Sequence, residues 1–356
     1  MNYPQLDIYL KQIEENAKKL QRDLAADEIK LTAVVKGFAG DLNIFKAYQR
    51  AGIKSIADSR IENIIKFRKA GFQDEILMLR IPMLSEIEEI VPYIDASLVT
   101  ELKTAELFSK KAAAAGKEID LIIMVDIGDR REGILAENLS ELARTIESLA
   151  AVNLKGIGTN LGCFAGIIPD KNNTEKLIKI KKGLEEELGR ELDILSAGNT
   201  ATLRLLADEK LASEITNLRV GEAILLGTDI INESLITGLN HYNFRLQAEI
   251  VELQEKPSNP EGEMAFGGAG RGQIIEDKGL RKRAILAVGK QDIDYHGLYP
   301  ELEGLEVLGA SSDHLITDIT DTDEKLEVGD ILTFKTNYSA MLRAMTSHYV
   351  TKNYIE

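Results

Sequence analysis

Two rhythms of apolar and polar positions alternate along the first two-thirds of the chain. Short aliphatic and β-branched runs recur at 31–35, 55–57, 75–79, 96–99, 120–125, 154–158, 192–195 and 217–220. Each has the length and composition of a strand buried on both faces. Between them, apolar residues fall at helical spacing over 42–51, 61–70, 86–91, 102–115, 139–149, 174–188 and 200–206. Gly52, Gly71, Gly116 and Gly189 stand where four of these helices should close, a position at which a left-handed cap favours glycine. Ahead of them, 5–10 alternates apolar and polar like an edge strand, and 11–24 has helical spacing through Ile13, Ala17, Leu20 and Leu24. Eight strands alternating with helices over roughly two hundred residues predict a (β/α)8 barrel.

From about residue 237 the rhythm changes. A long strand is expected over 244–253, then a loop rich in Gly, Pro and charge over 255–278. Shorter strands follow at 283–289, 305–308, 314–319 and 331–336. The chain therefore divides into an α/β barrel over 11–236 and a smaller all-β domain over 237–356.

Composition narrows the setting. The chain has 356 residues, 44% of them hydrophobic, with a formal net charge of −15. Such a balance argues against nucleic acid or an anionic membrane as partner. The single cysteine, Cys163, rules out an intrachain disulfide and a cysteine metal cluster, and suits a reducing cytoplasm. The first residues form no signal peptide, and no apolar run is long enough to cross a bilayer. A cytoplasmic protein is expected.

The candidate chemistry gathers at the C-terminal ends of the expected barrel strands, where barrel active sites form. Lys36 ends the first. Asp58, Ser59 and Arg60 follow the second and Arg80 the third. Asp126 to Gly133 follow the fifth, Thr159 and Asn160 the sixth, Ser196 to Thr200 the seventh, and Arg219 with Gly221 the eighth. A lysine partly desolvated at a strand end has a lowered pKa and can form a Schiff base; the plainer alternative is a lysine marking the exit to solvent. Ser196-Ala197-Gly198-Asn199-Thr200 and Val220-Gly221-Glu222-Ala223 each open a helix with free backbone N–H groups. Together they offer a phosphate cradle, and each alone could be an ordinary helix cap. A lysine and a phosphate site on one face point to a phosphorylated aldehyde, either a sugar phosphate or pyridoxal phosphate.

The set Val34-Val35-Lys36, Val125-Asp126-Ile127-Gly128-Asp129-Arg130-Arg131-Glu132-Gly133 and Leu218-Arg219-Val220-Gly221-Glu222-Ala223 resembles alanine racemase-type enzymes. These are fold-type III pyridoxal 5'-phosphate enzymes built from a barrel and a β domain. Segments 57–63, 156–161, 289–292 and 308–314 resemble the ornithine racemase branch in particular. The resemblance implies an amino-acid racemase acting on ornithine, with alanine or lysine as other possible substrates. It makes Lys36 the Schiff-base lysine and one of the proton-transferring bases. Arg219 matches an arginine facing the pyridine nitrogen, and Arg131 one near the lysine and the substrate carboxylate. Thr200, Gly221, the backbone of Glu222, and Tyr338 match phosphate-binding positions. Asn160 stands where alanine racemases carry a histidine against the ring. The opening strand, 1–10, is implied to join the β domain, and a homodimer is implied.

The chain departs from that pattern at the second base. Alanine racemases carry a tyrosine after the glycine corresponding to Gly289; here Lys290 follows it, and Tyr295 is out of register. Lys290, Asp313 and His314 are candidates, with Cys163 as an outsider. A near-neutral unperturbed pKa suits His314 to proton shuttling, and a structural hydrogen bond to Asp313 is the equal alternative. Asp313 could instead position the substrate carboxylate. Asp129, Glu132 and Asp292 could meet a distal substrate ammonium or form a solvated acidic rim. For Arg219 a surface salt bridge is the plainer reading, for Tyr338 core packing, and for Arg80 an ordinary ion pair. Two competing functions remain. One is a non-catalytic pyridoxal-phosphate carrier, which would lack a β domain. The other is a metal-assisted aldolase, which would need a cysteine after Cys163 to pair with His348.

Overall fold

The structure is a computed structural model describing residues 2–206, 213–229, 231, 234–262 and 277–356. After strand β1 (Gln5–Tyr9), eight parallel strands close in sequence order into a barrel. They are β2 (Lys30–Val34), β3 (Ser55–Asp58), β4 (Glu75–Met78), β5 (Ala96–Val99), β6 (Ile119–Met124), β7 (Val152–Gly158), β8 (Ile194–Ser196) and β9 (Asn217–Val220). Closure comes from β9 pairing back onto β2, with Thr32 opposite Arg219 and Ala33 opposite Val220. Alternate residues of a strand share a face, so a single face of β2 to β6 supplies Val34, Ala57, Leu77, Ala96, Leu98, Ile122 and Met124 to one apolar cluster. Thr32, Ser55, Asn217 and Arg219 hold the alternating positions on β2, β3 and β9 and are also buried.

Helices cross between the strands as their apolar spacing requires. The glycines expected to close them do so in left-handed geometry at Gly116 (φ 62°) and Gly189 (φ 68°). Two connections are tighter than expected. The segment over 86–91 is a 3-10 turn, Leu84–Glu86, followed by one helical turn, Ile87–Ile90. The segment over 200–206 is a 3-10 helix, Thr200–Leu205. A short hairpin, β10 (Thr228–Asp229) with β11 (Ser234–Leu235), follows β9.

The chain separates into a unit of residues 13–241, which holds the barrel, and a unit of residues 1–12 and 242–356. The second unit carries β12 (Phe244–Pro257), β13 (Leu280–Leu286), β14 (Leu298–Pro300), β15 (Glu306–Ala310), β16 (Leu315–Asp318), β17 (Ile331–Thr336) and β18 (Thr351–Ile355). Its sheet runs β14-β17-β12-β13-β16-β15, and β1 adds to β12. Strand β1 is no edge: it pairs antiparallel with β12 and parallel with β18. Its alternation reflects two buried faces of different chemistry. Leu6 and Ile8 bury one. On the other, Asp7 accepts hydrogen bonds from Gln5 (2.8 Å), Gln247 (3.0 Å) and Asn353 (2.8 Å). The unit also contains a helix the apolar pattern did not foretell, Tyr338–Thr346, capped by Asn337. Of the expected loop over 255–278, residues 263–276 lie outside the described residues. No helix among the described residues is long and apolar enough to cross a membrane.

Candidate active site

The chain leaves β2 at Val34 and turns at once into a 3-10 turn, Lys36–Phe38, closed by Ala39 in left-handed conformation (φ 52°). This tight turn holds Lys36 at the strand's C-terminal end instead of releasing it to solvent. Burial lowers the pKa of its ammonium. Arg131 pushes the same way, against the opposing pull of Cys163, Asp58 and Glu132. These four side chains set the charge environment of the lysine. Asp58, at the end of β3, is fully buried. It accepts from the Arg60 N–H at 2.8 Å and from Asn63 Nδ2 at 3.2 Å on each oxygen. Burial nevertheless pushes its carboxyl up to about 6. Arg131 hydrogen-bonds Glu132, and that pair together with the nearby Cys163 outweighs its burial and raises its pKa.

Arg219 lies on β9, only 3% exposed. Its guanidinium donates to Thr159 O at 2.6 Å, to Ser196 O at 3.5 Å and to Ser196 Oγ. Every one of these acceptors is a neutral oxygen, and burial draws its pKa down to about 10, so it stays charged at neutral pH. A buried cation normally meets a carboxylate; among the described residues none hydrogen-bonds Arg219. The surface salt bridge is therefore ruled out.

The two helix-opening segments after β8 and β9 adjoin. Thr200 Oγ1 accepts from the Ala223 N–H at 3.3 Å. Gly221 brings its backbone against β2: a Cβ there would lie 3.1 Å from Val34 Cβ and 3.2 Å from Val34 O. The Glu222 side chain turns to accept from Thr228 Oγ1 at 2.7 Å. Asn199 caps the 3-10 helix through Ala201 N–H (2.8 Å). Its Nδ2 donates to Leu161 O (2.8 Å), Asn160 Oδ1 (3.1 Å) and Cys163 Sγ (3.3 Å). Asn160 Nδ2 is buried without a hydrogen-bond partner among the described residues. Ser196 stands apart from the cradle: it is fully buried, and its hydroxyl lies between Arg219 and Asn217. Its hydroxyl supports Arg219 and is not placed for phosphate.

These features fit pyridoxal phosphate. Lys36 is an amine with lowered proton affinity, Arg219 a donor whose acceptors among the described residues are all neutral, Asn160 Nδ2 a buried donor without a partner among them, and Thr200 with Gly221 to Ala223 a cradle in which a Cβ at position 221 would crowd Val34.

In the other unit, Lys290, Asp313 and His314 come together. Gly289 makes this possible, since a Cβ there would lie 2.3 Å from Asp313 N. The Lys290 N–H donates to Ser311 O at 2.8 Å, and Lys290 Nζ sits 5.5 Å from the Tyr295 ring centre. His314 Nδ1 is 3.0 Å from Asp313 Oδ1, and both side chains are exposed. Hydrogen bonds from Ser311, then the nearby His314 and Ser312, hold the Asp313 carboxyl below its usual range. Tyr338 is half-buried at the start of its helix, outside the core.

Two of the acidic candidates are closed off. Asp129 is 2% exposed and accepts from the Phe164 and Ile167 N–H groups, so it ties down the loop after β7. Asp292 is 5% exposed and accepts from Ser347 Oγ at 2.7 Å. Neither belongs to a solvated rim. Arg80 forms the ordinary ion pair, with Glu86 at 2.7 Å. Asn217 and Thr32 are not among the residues the sequence singles out. Their signal was a polar residue at an inward position of a buried strand.

Residues 8–229 match the family described as alanine racemase, N-terminal domain. The chain is 41% identical over 354 residues to the lysine racemase of Thermotoga maritima, covering 99% of each chain. It is also 41% identical over 351 residues to the ornithine racemase of Acetoanaerobium sticklandii, covering 98% of this chain and 99% of that one. The alanine racemase of the D-cycloserine-producing Streptomyces lavendulae has the same fold, with a TM-score of 0.75 at 17% identity, covering 100% of this chain and 98% of that one. The extent of these matches and the barrel-mouth geometry agree: this chain belongs to the alanine racemase N-terminal domain family.

Proposed function

We propose that this pyridoxal-phosphate-dependent amino-acid racemase interconverts the L- and D-forms of a basic amino acid, ornithine first and lysine second. The observation that carries the reading is Arg219, a buried guanidinium whose hydrogen-bond acceptors are all neutral, on the strand that closes the barrel beside the one leading to Lys36. The basic substrate is supported by the two relatives named for lysine and ornithine. The order between them rests on the four segments that resemble the ornithine branch.

When bound, pyridoxal phosphate supplies the electron sink that makes the substrate's α-proton acidic. Lys36 holds the cofactor and moves a proton at Nζ; its lowered pKa keeps more of the amine neutral near pH 7. Arg219 only donates, so it would leave a ring nitrogen held against it unprotonated. That limits the sink's depth and favours return of the proton over side reactions. Thr200, Gly221, the Glu222 backbone and Tyr338 hold the phosphate, Asn199 shapes its cradle, and Asn160 Nδ2 meets the ring. Arg131 orients the substrate carboxylate. Proton return on the opposite face falls to His314, supported by Asp313, with Lys290 and Cys163 as the other groups to test. The enzyme works as a homodimer in the cytoplasm, a setting its single cysteine suits.

The test is L-ornithine in deuterium oxide with the cofactor-loaded protein. Deuterium entering the α-position while optical rotation decays supports the proposal. Faster exchange with lysine would reverse the substrate order. No exchange with ornithine, lysine or alanine would leave a pyridoxal-phosphate carrier.

A further inference from the structure

We propose that Ser196 and Asn217 are positioning residues that fix the guanidinium of Arg219 through a one-way chain of hydrogen bonds crossing the barrel interior to Thr32, which Ser55 backs. The inference rests on the reading above that Arg219 faces the cofactor.

The direction of the chain follows from donor inventory. Arginine has no acceptor, so Ser196 Oγ must accept from Arg219. The single proton of Ser196 is left for Asn217 Oδ1, 2.5 Å away. That orients the Asn217 amide, whose Nδ2 donates to Thr32 Oγ1 at 2.9 Å and to Lys30 O at 3.2 Å. Thr32 Oγ1 in turn shares a 2.9 Å hydrogen bond with Ser55 Oγ, in which either hydroxyl can donate. Strand register builds the path: Thr32 lies opposite Arg219, and Asn217 lies opposite both Lys30 and Ser196. No link is more than 5% exposed, so water does not compete for these bonds.

Stability alone does not call for this arrangement. The inward cluster drawn from β2 to β6 is filled by Val, Ala, Leu, Ile and Met, and buried polar groups gain little net stability over aliphatic ones. The chain achieves something an aliphatic filling cannot: it holds a buried guanidinium in one orientation without neutralising it. A carboxylate in place of Asn217 would hold it too, but would draw its charge inward. Neutral links leave that charge directed at the barrel mouth, and cooperative polarisation stiffens the row.

The experiment is Ser196→Ala made in the native background and in Arg219→Lys, with cofactor release from the holoenzyme followed alongside kcat and KM. In the native background, release should speed and kcat should fall by about tenfold or more, the usual scale for a lost hydrogen bond to a charged group, with KM within about twofold. In the Arg219→Lys background the same change should alter neither quantity beyond about twofold, because Ser196 acts only through Arg219. Equal effects in both backgrounds would overturn the proposal and make Ser196 a packing residue. If Ser196→Ala does not fold, Thr32→Val removes one hydroxyl two links away at constant shape. A smaller loss should then appear and vanish in the same way, and persistence of that loss in the Arg219→Lys background would be equally fatal. Should the native protein racemise nothing, the functional reading fails while cofactor release still tests the chain.

Discussion

Lys36 and Asp58 face the same burial and respond in opposite senses. Burial lowers the lysine and lifts the aspartate to about 6, while hydrogen bonds from Arg60, Asn63 and Ser59 and the charge of Lys36 hold the aspartate back. Between about pH 4 and 6 the folded protein therefore keeps a proton that the unfolded chain has released. Stability from this group is complete below about pH 4 and is lost as pH rises through about 6, by roughly 3 kcal/mol. Asp58→Asn should gain that advantage over the native protein across this window and hold it unchanged at higher pH. Denaturant titrations of both proteins at steps from pH 4 to 8 would show it; a constant difference would mean that Asp58 ionises freely. Lys36→Ala should lose the cofactor-linked absorbance and bring racemisation to background, and surviving activity would remove Lys36 from its central role. Lys36 was legible in sequence because a lysine ending an aliphatic run is rare. The shift at Asp58 was not, since it depends on packing from residues distant in the chain. Ser196 was legible by type but not by role: a serine opening a helix looks like a phosphate ligand until its hydroxyl is seen turned into the barrel.

At the scale of elements, the barrel was legible because strands buried on both faces are mostly aliphatic, a signal few other arrangements produce. Shorter features escaped. The helix Tyr338–Thr346 buries Ala340, Met341, Ala344 and Met345, a helical spacing too brief to establish itself among strand-like neighbours. Thr200–Leu205 tightened to 3-10 geometry, and its Thr202 hydroxyl bonds Ala197 O at 2.9 Å, a local bond of the kind that competes with regular helix. Strand spacing also makes glycines unequal. A Cβ on Gly156 would sit 1.9 Å from Ile194 O, on the neighbouring strand that carries Ser196. Gly156→Ala should force β7 and β8 apart, costing about 2–3 kcal/mol and weakening cofactor binding through the displaced loop. Gly183, within the helix Lys171–Leu188, meets nothing within 4 Å. Gly183→Ala should stabilise by about 0.5–1 kcal/mol and leave cofactor binding untouched. Denaturant midpoints paired with cofactor titration separate the two; equal small effects would mean that the strand contact relaxes freely.

Across the whole molecule, the groups able to carry a proton divide between the units. Lys36 and Cys163 lie within 13–241; Lys290, Asp313 and His314 lie within 242–356. Racemisation by two bases demands one group for each face of the substrate, so losing one of them has an asymmetric consequence. The enantiomer whose α-proton that group removes stops exchanging, while the other still loses its proton to the surviving base. Of these groups an imidazole is the residue type best suited to proton transfer near neutral pH, and Asp313, 3.0 Å from His314 Nδ1, fixes its ring. His314→Asn keeps a hydrogen-bonding side chain of similar reach and removes the titration. Deuterium wash-in should then fall by about a hundredfold or more from one enantiomer and stay within a few-fold of native from the other. An equal fall from both enantiomers would show that His314 supports the fold or the cofactor instead of moving a proton. Cys163→Ser supplies the matching measurement within the barrel unit. Its thiol influences the charges of Arg131 and Lys36 and accepts from Asn199, so its loss should disturb both enantiomers alike through those residues. A one-sided loss in Cys163→Ser, with none in His314→Asn, would transfer the second proton to the thiol and make the barrel unit alone the seat of both transfers.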